Sequence, residues 1–229
     1  MSKTKCFYND NNNIIEIGVD EVGRGPMFGR VYTAAVVLPK EGFDYSLMKD
    51  SKKFTSKKKI TEAANYIKKN ALYWSVSYVN EDVIDKINIR QATFKSMHKS
   101  ISELLIKIKE NEENYDSNNI FLLIDGTDFK PYKTFIKDEL MVYPHVCIKG
   151  GDDKYSNIAA ASILAKVTRD QYILDMCEQY PKLKEYYSLD TNKGYGSKVH
   201  LEGINTYGVT EWHRKSFGAC KNAPIIDIS

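Results

Sequence analysis

Short apolar runs separated by polar or glycine-rich segments predict the first strands of the chain. Residues 14–19 and 31–38 are two such runs. Glycine and proline are dense between them, as is typical of a turn, at Gly23, Gly25, Pro26 and Gly29. Residues 72–79 predict a third strand, with one alternate face formed by Leu72, Trp74, Val76 and Tyr78.

Apolar residues at helical spacing predict the helices, and Ser56 is placed to cap the first of them. The predicted helices cover 56–69, 88–109, an alanine-rich run from 158 to about 178, 198–207 and a short segment at 210–217.

Two further strands complete the predicted fold. Residues 120–124 are all apolar, as expected for a strand buried on both faces, and 142–148 form the fifth strand. Three antiparallel strands followed by two helix-linked strands give a mixed five-stranded sheet with helices on both faces, an α/β fold. We expect residues 1–179 to form the main domain, with 180–229 a helical region packed on it as one functional unit.

Composition narrows the class of protein. The chain has 229 residues, of which 42% are hydrophobic, so the bulk is not disordered. Lys and Arg number 33 against 30 Asp and Glu, and the net charge is +3. Binding to a polyanion through bulk charge is therefore not expected, and any nucleic-acid contact must come from a local basic patch. The densest basic run comprises Lys52, Lys53, Lys57, Lys58 and Lys59.

No feature of the sequence predicts export or a membrane. No stretch approaches the roughly 20 uninterrupted apolar residues that a bilayer helix needs. The N-terminal residues lack the apolar core of a signal peptide. The four cysteines form no C-x-x-C pair, which favours reduced thiols. We expect a soluble cytoplasmic protein.

Acidic residues follow three predicted strands. Asp20 and Glu21 end the first strand, and Asp125 follows the apolar run 120–124. Asp152 and Asp153 lie between the fifth strand and the alanine-rich helix. Each position has an ordinary structural explanation: a solvated strand end, an Asp-Gly turn, or a helix cap provided by one of the two last acids.

The coincidence of these acids favours a shared site. The predicted sheet puts Asp20 and Asp125 on neighbouring strands, and converging carboxylates raise one another's pKa unless a cation neutralises them. Oxygen ligands without His or Cys at suitable spacing favour Mg²⁺ or Mn²⁺ over zinc. Pairs of such ions serve phosphodiester hydrolysis.

Five blocks, in this order along the chain, resemble the ribonuclease HII family, type 2 ribonuclease H. They are Gly18-Val19-Asp20-Glu21-Val22-Gly23-Arg24-Gly25-Pro26, Asp50-Ser51-Lys52-Lys53, Ile124-Asp125-Gly126, Gly151-Asp152 with the run from Ile158 to Val167, and Lys193-Gly194-Tyr195-Gly196.

The resemblance implies a ribonuclease H-like fold in which residues 1–179 are the catalytic domain. It implies hydrolysis of RNA in RNA/DNA hybrids and cleavage 5′ of ribonucleotides embedded in duplex DNA. It also implies four catalytic, metal-binding carboxylates, matched by Asp20, Glu21, Asp125 and Asp152. Asp152 is chosen because it follows Gly151 and precedes Ile158 by six positions, which leaves Asp153 the capping role.

The resemblance also implies substrate-binding residues. Gly23, Arg24, Gly25 and Tyr195 would recognise the 2′-hydroxyl that distinguishes RNA from DNA. The ordinary alternatives are a plain turn and a packing tyrosine, one of 16. Lys53 and Lys166 would contact the phosphate backbone, although a lysine run is usually a solvated helix face.

Some residues depart from the family pattern or stay outside it. Beside the recognition loop, where the family usually has small residues or proline, this chain has Met27, Phe28, Arg30 and Tyr32. These residues bear on which RNA–DNA junctions the protein prefers. His200 and His213 are expected to be surface or structural residues, and Arg214 to pack or to contact phosphate.

The expected partners are nucleic acids. No clamp-binding motif is evident near the C-terminus, and we expect a monomer. Two other functions fit the same fold: a non-catalytic nucleic-acid-binding module, and a different nuclease. The intact acids disfavour the first, and the glycine loop with Tyr195 disfavours the second.

Overall fold

Five of seven strands form the central sheet of the computed structural model, which describes residues 4–9, 11, 13–113 and 115–228. The strands are β1 (Ile15–Val22), β2 (Val31–Val37), β3 (Tyr73–Val79), β4 (Ile120–Asp125), β5 (Lys133–Ile136), β6 (Glu139–Val142) and β7 (His145–Ile148). The sheet order is β3-β2-β1-β4-β7, and β5 pairs with β6 in a separate hairpin. β1 is antiparallel to β2 and parallel to β4, so the predicted mixed five-stranded sheet is confirmed.

Helices cover both faces of the sheet, as predicted. They are α1 (Lys57–Asn70), α2 (Glu81–Asn111), α3 (Ser156–Gln179), α4 (Pro181–Tyr187), α5 (Leu189–Asn192) and α6 (Lys198–Tyr207). Buried residues of α2 pack with alternate residues of β1 and β4 in one core. Buried residues of α1 and α3 pack with the opposite face of β2 in a second core.

The connection from β4 to β7 differs from the prediction. We predicted a helix link and a strand over 142–148, whereas the chain forms the β5–β6 hairpin and β7 begins at His145. Val142 belongs to β6, and Pro144, which has no amide hydrogen to donate to a sheet, separates the two strands.

β3 alternates as predicted, and the face that carries Trp74, Val76 and Tyr78 is the less buried one. Leu72 and Tyr78 are exposed, whereas Ser75 and Ser77 are buried. The Ser75 hydroxyl donates to the Ser100 carbonyl of α2 at 2.6 Å, so the buried face of this strand contacts a helix through hydroxyls. Trp74 and Val76 pack partly buried on the opposite face.

Two helix predictions need correction. α2 begins at Glu81, and the predicted start at Asn88 is a break within it, where φ is 65°. Residues 210–217 form turns instead of a helix. His213 makes a bridge with Phe28, and the Arg214 amide donates to the Met27 carbonyl, so these backbone groups bond to a distant loop and the segment does not continue as a helix.

Close packing of α3 on β1 sets the geometry around the acids. A Cβ added to Gly18 would lie 2.2 Å from the Asn157 carbonyl carbon, and the helix presents Ala159, Ala160 and Ala161 to the core. Small residues on both elements let the helix backbone approach the strand that carries Asp20.

The C-terminal helices pack on the end of α3. Their core contains Met27, Phe28, Ile173, Leu183 and Ile204. The division at residue 180 stays a prediction, and residues 1–3 and 229 of its bounds lie outside the described residues. In the part of the chain that the structure describes, every helix is too short or too polar to cross a membrane.

Candidate active site

Two adjacent parallel strands bring Asp20 and Asp125 to the same edge of the sheet. β1 and β4 pair up to Val19 and Ile124, and each acid is the next residue. Their predicted position on neighbouring strands is therefore confirmed. The Gly151 amide donates to Asp125 Oδ1 at 2.7 Å, which holds the turn bearing Asp152 against the end of β4.

Gly151 has to be small at this point. An added Cβ would lie 2.6 Å from Ile158 Cδ1 and 3.3 Å from Asp125 Oδ1. A side chain there would require the end of the Ile158 side chain to move and would crowd the Asp125 carboxylate.

Asp20 is the most buried of the four acids, with 4% of its surface exposed. Burial raises its pKa well above 3.8, and the charges of Glu21, Asp125 and, more weakly, Asp152 raise it further. A hydrogen bond from Ser162 opposes the shift. Because all three other acids act on Asp20, the four carboxylates form one electrostatic site.

The other acids also have cationic neighbours. Burial raises the pKa of Glu21, and Arg24 opposes that shift, with its Nη1 3.2 Å from Glu21 Oε1. The pKa of Asp152 rises to about 6 because of burial, then Asp125 and Asp50, against the opposing charge of Lys52. Lys52 Nζ lies 3.9 Å from Asp152 Oδ2.

The donor set fits a hard divalent cation. No three His, Cys, Asp or Glu side chains of the described residues are arranged, as they stand, to hold a metal ion. Glu21 and Asp152 pair instead with Arg24 and Lys52. A cluster of four oxygen-donor acids, in which burial raises the pKa of Asp20, Glu21 and Asp152, nevertheless carries the uncompensated charge that Mg²⁺ or Mn²⁺ neutralises.

The glycine loop and Tyr195 lie together. A Cβ on Gly25 would be 3.5 Å from Tyr195 Cε1, and the Met27 amide donates to the Gly194 carbonyl at 2.8 Å. Tyr195 is 43% exposed, so its ring is open to a ligand. Through its contact with Glu21, Arg24 joins this loop to the acids.

The predicted phosphate-binding lysines contact acids. Lys53 Nζ lies 2.5 Å from Asp153 Oδ1, and Lys166 Nζ lies 2.8 Å from Asp170 Oδ1. Asp153 makes no cap bond to α3, whose N-cap is Tyr155, so the predicted capping role is wrong. Its carboxylate binds Lys53 instead.

Two residues beside the acids escaped the site prediction. Ser162 contacts Asp20 and also Ser51, with the two hydroxyl oxygens 3.0 Å apart. Lys52 lies nearer the acids than Lys53, and the charges of Asp152, Asp50, Asp20 and Asp125 raise its pKa against the effect of burial. Both residues lie inside the sequence blocks that resemble the family, and that position is the sequence signal that could have identified them.

Three of the four residues that depart from the family pattern are buried, and the fourth, Arg30, is partly buried between aromatic rings. Met27, Phe28 and Tyr32 are buried. The Arg30 guanidinium lies 4.2 Å from the centre of the Tyr78 ring and 4.6 Å from that of Tyr172.

The C-terminal polar residues are buried too. His200, His213 and Arg214 each have 0% exposure, so of the expected alternatives the structure supports a structural role for the histidines and packing for Arg214. His200 Nε2 and His213 Nε2 are 3.2 Å apart, and His200 Nδ1 lies 2.9 Å from the Tyr195 carbonyl oxygen.

Known proteins are similar to this chain in sequence and in fold. A family model described as ribonuclease HII matches residues 17–220. A ribonuclease HII of Parabacteroides distasonis is 42% identical over 203 residues, which is 89% of this chain and 89% of that protein.

Two solved structures are similar in fold. One is the PCNA:RNase HII complex from Archaeoglobus fulgidus, with 22% identity, a TM-score of 0.63 and coverage of 90% of this chain and 96% of that chain. The other is Bst-RNase HIII in complex with Mn²⁺, with 18% identity, a TM-score of 0.61 and coverage of 91% and 68%. The predicted ribonuclease H-like fold is confirmed.

Proposed function

The chain belongs to the ribonuclease HII family, and we propose that it hydrolyses RNA in RNA/DNA hybrids and cuts 5′ of ribonucleotides embedded in duplex DNA. The products would carry 5′-phosphate and 3′-hydroxyl ends. The observation that carries the proposal is the convergence of four acids around the buried Asp20. A cytoplasmic location, the monomeric state and the absence of a clamp-binding motif stay predictions.

Asp20, Glu21, Asp125 and Asp152 would hold two divalent ions, Mg²⁺ or Mn²⁺. When bound, such ions supply an activated water and charge stabilisation at the leaving oxygen. The Mn²⁺ complex of the similar Bst-RNase HIII supports a divalent-metal requirement. No nucleophilic side chain is needed.

The paired cations would be displaced from the acids when the site is loaded. Arg24 and Lys52 now neutralise part of the charge on Glu21 and Asp152. Both are exposed enough to turn away, since their side chains are 52% and 85% exposed. Once released, the Arg24 and Lys52 side chains would face the phosphates of a bound strand. Phosphates are anions, so contact with these cations is favourable.

The glycine loop and Tyr195 would select the ribonucleotide. A 2′-hydroxyl both donates and accepts hydrogen bonds. Backbone groups at Gly23 and Gly25 can approach a sugar closely because these residues have no side chain. The exposed ring of Tyr195 borders the same place. Lys53 and Lys166 would contact phosphates farther along the strand.

Cleavage of three duplexes tests the proposal. One carries a single ribonucleotide in DNA, one is a long RNA/DNA hybrid and one is all DNA, each incubated with Mg²⁺ or Mn²⁺. We expect cleavage of the first two only. Asp125→Asn keeps the shape of the side chain but removes a metal-binding charge, so we expect the rate to fall by about 10³-fold.

Asp138→Asn is the matched control, because Asp138 is exposed at the tip of the β5–β6 hairpin. A non-catalytic binding module would leave all three duplexes intact, and a different nuclease would also cut the all-DNA control. An Asp125→Asn variant with wild-type rates would contradict the role of the acids.

A further inference from the structure

Arg214 is fully buried and faces the carbonyl groups of the glycine loop. Its Nε donates to Gly29 O at 2.8 Å, its Nη1 to Arg24 O at 3.1 Å and to Pro26 O at 2.7 Å, and its Nη2 to Gly23 O at 2.6 Å. Four hydrogen bonds from one guanidinium therefore fix the loop from residue 23 to residue 29.

No carboxylate of the described residues lies within ion-pair distance of Arg214. A buried cation without a paired acid is unfavourable unless hydrogen bonds replace its water. Burial lowers the pKa of Arg214 to about 9. An apolar residue would fill the same space with no such penalty, so the loop conformation is what the arginine provides.

Arg169 of α3 also holds this loop. Its Nη2 donates to Phe28 O at 3.2 Å and its Nη1 to Lys193 O at 3.1 Å, which ties the loop to the segment bearing Tyr195. A Cβ on Gly23 would lie 2.3 Å from Arg169 Nε, so the glycine makes room for this contact.

Other elements fix Arg214 in turn. Asp85 of α2 accepts from the Lys215 and Ser216 amides at 2.8 and 2.9 Å. The Arg214 amide donates to Met27 O at 2.7 Å. The backbone at Arg214 and at the two residues after it is therefore tied to the loop and to α2, a helix packed on the main sheet.

We propose that Arg214 is a positioning residue for ribonucleotide recognition: its guanidinium sets the path of the 23–29 loop so that Gly25 faces Tyr195. The proposal rests on the proposed function of this loop. Arg214 touches no substrate, because all of its surface is buried. Through Arg214, the C-terminal segment thereby contributes to ribonucleotide specificity without contacting the substrate.

Amide hydrogen exchange in residues 23–30 tests the positioning directly. Arg214→Lys keeps the charge but loses the planar fork of donors. We expect exchange in this loop to become about tenfold faster or more, while exchange in β4 stays unchanged. Lys215→Met is the control, because Lys215 is the exposed neighbour, and it should leave the loop unchanged.

Cleavage of two substrates provides the second readout. A single ribonucleotide offers one 2′-hydroxyl and so depends on one loop position, whereas a long hybrid offers a 2′-hydroxyl at every step. For Arg214→Lys we expect kcat/KM to fall about tenfold or more on the single-ribonucleotide duplex and about threefold or less on the hybrid. If the Arg214→Met variant folds, it should show the same difference between the two substrates. If that variant does not fold, the Arg214→Lys result alone tests the proposal.

Unchanged exchange with an unchanged substrate ratio would overturn the proposal. Equal losses on both substrates, together with faster exchange throughout the protein, would overturn it as well, because they would indicate a general loss of stability. Failure of the proposed function can be told apart from failure of this proposal. If the proposed function is wrong, the wild-type protein leaves both ribonucleotide-containing substrates intact. The hydrogen-exchange result does not depend on cleavage and still tests the positioning of the loop.

Discussion

At the scale of single residues, burial and hydrogen bonding decide what each polar group can do. Asp20 is buried among three other acids, so its charge is unfavourable until a cation arrives. Glu16, four residues earlier on β1, is equally buried but accepts hydrogen bonds from the Tyr8 and Asn9 amides. A buried carboxylate is therefore a structural anchor in one place and a candidate metal ligand in the other.

The paired histidines have fixed tautomers. The Thr210 amide donates to His213 Nδ1 at 3.0 Å, so the hydrogen of neutral His213 is on Nε2. That hydrogen points at His200 Nε2, which must accept, and His200 Nδ1 then donates to the Tyr195 carbonyl. Burial lowers the pKa of both rings below 6.5, and for His213 the nearby His200 and Lys215 lower it further.

This pair predicts a loss of stability in acid. The folded-state pKa values lie below the ordinary 6.5, so below that pH the unfolded chain binds protons that the folded chain does not. Each histidine can lower the unfolding free energy by up to about 1.4 kcal/mol per pH unit. His213→Asn, which keeps an acceptor for Thr210, should show a shallower decline than wild type in urea unfolding between pH 7.5 and 5.5.

The comparison has to be between variants. Burial raises the pKa of Asp20, Glu21 and Asp152, which gives the opposite dependence on pH and is common to both proteins. His145→Asn, outside the pair, is the control and should follow wild type. Parallel curves for wild type and His213→Asn would show that the pair is not responsible.

The sequence predicted the acids but not the arginines, for a physical reason. Asp20 and Asp125 each follow an apolar strand, and that pattern is local. Arg169 and Arg214 bond to backbone carbonyls of residues far away in the chain, and a carbonyl acceptor leaves no mark in the sequence. The role of such a residue becomes visible only when the fold is known.

At the scale of elements, the contact of α3 with β1 is the tightest constraint near the site. Its helical residues Ile158 to Ala161 are completely buried, and the strand opposite them has Gly18. The first turn of this helix also adjoins the turn that bears Asp152. A shift of the helix would therefore move Ser162 and Asp152 relative to Asp20.

Gly18→Ala tests this packing. The added methyl group would meet the Asn157 backbone at 2.2 to 2.4 Å, which no side-chain movement can relieve. We expect the unfolding free energy to fall by about 3 kcal/mol, at the upper end for overpacking. Urea unfolding measures it.

Gly196→Ala provides the matched control, because its added Cβ would meet only Met27 Cε at 3.4 Å. That variant should stay within about 1 kcal/mol of wild type. A Gly18→Ala protein as stable as Gly196→Ala would mean that α3 can move away from β1 without penalty.

Periodicity predicted the buried elements best. The limits of α6 match the prediction, and α3, predicted from its alanine-rich run, differs by one or two residues at each end. The predicted helix start at Asn88 coincides with the break in α2, where the Asn88 side chain accepts from the Gln91 amide. The sequence did not indicate which face of β3 is buried, because the buried serines are polar residues and their hydrogen bonds to a helix cannot be read from the sequence.

At the scale of the whole molecule, charge is organised locally although the total is only +3. Acids from β1, β4 and the turn before α3 meet at one edge of the sheet, with Arg24 and Lys52 beside them. The glycine loop is held there from below by α3 and the C-terminal segment. The four acids and the glycine loop are thus fixed by one framework.

The central claim is that Asp20, Glu21, Asp125 and Asp152 jointly bind divalent ions. Its most direct test is anomalous diffraction from crystals of the full chain with Mn²⁺. We predict manganese peaks bounded by these four carboxylates, with the pair between Glu21 and Arg24 opened. Crystals in which manganese binds elsewhere, while these acids keep their present partners, would contradict the account.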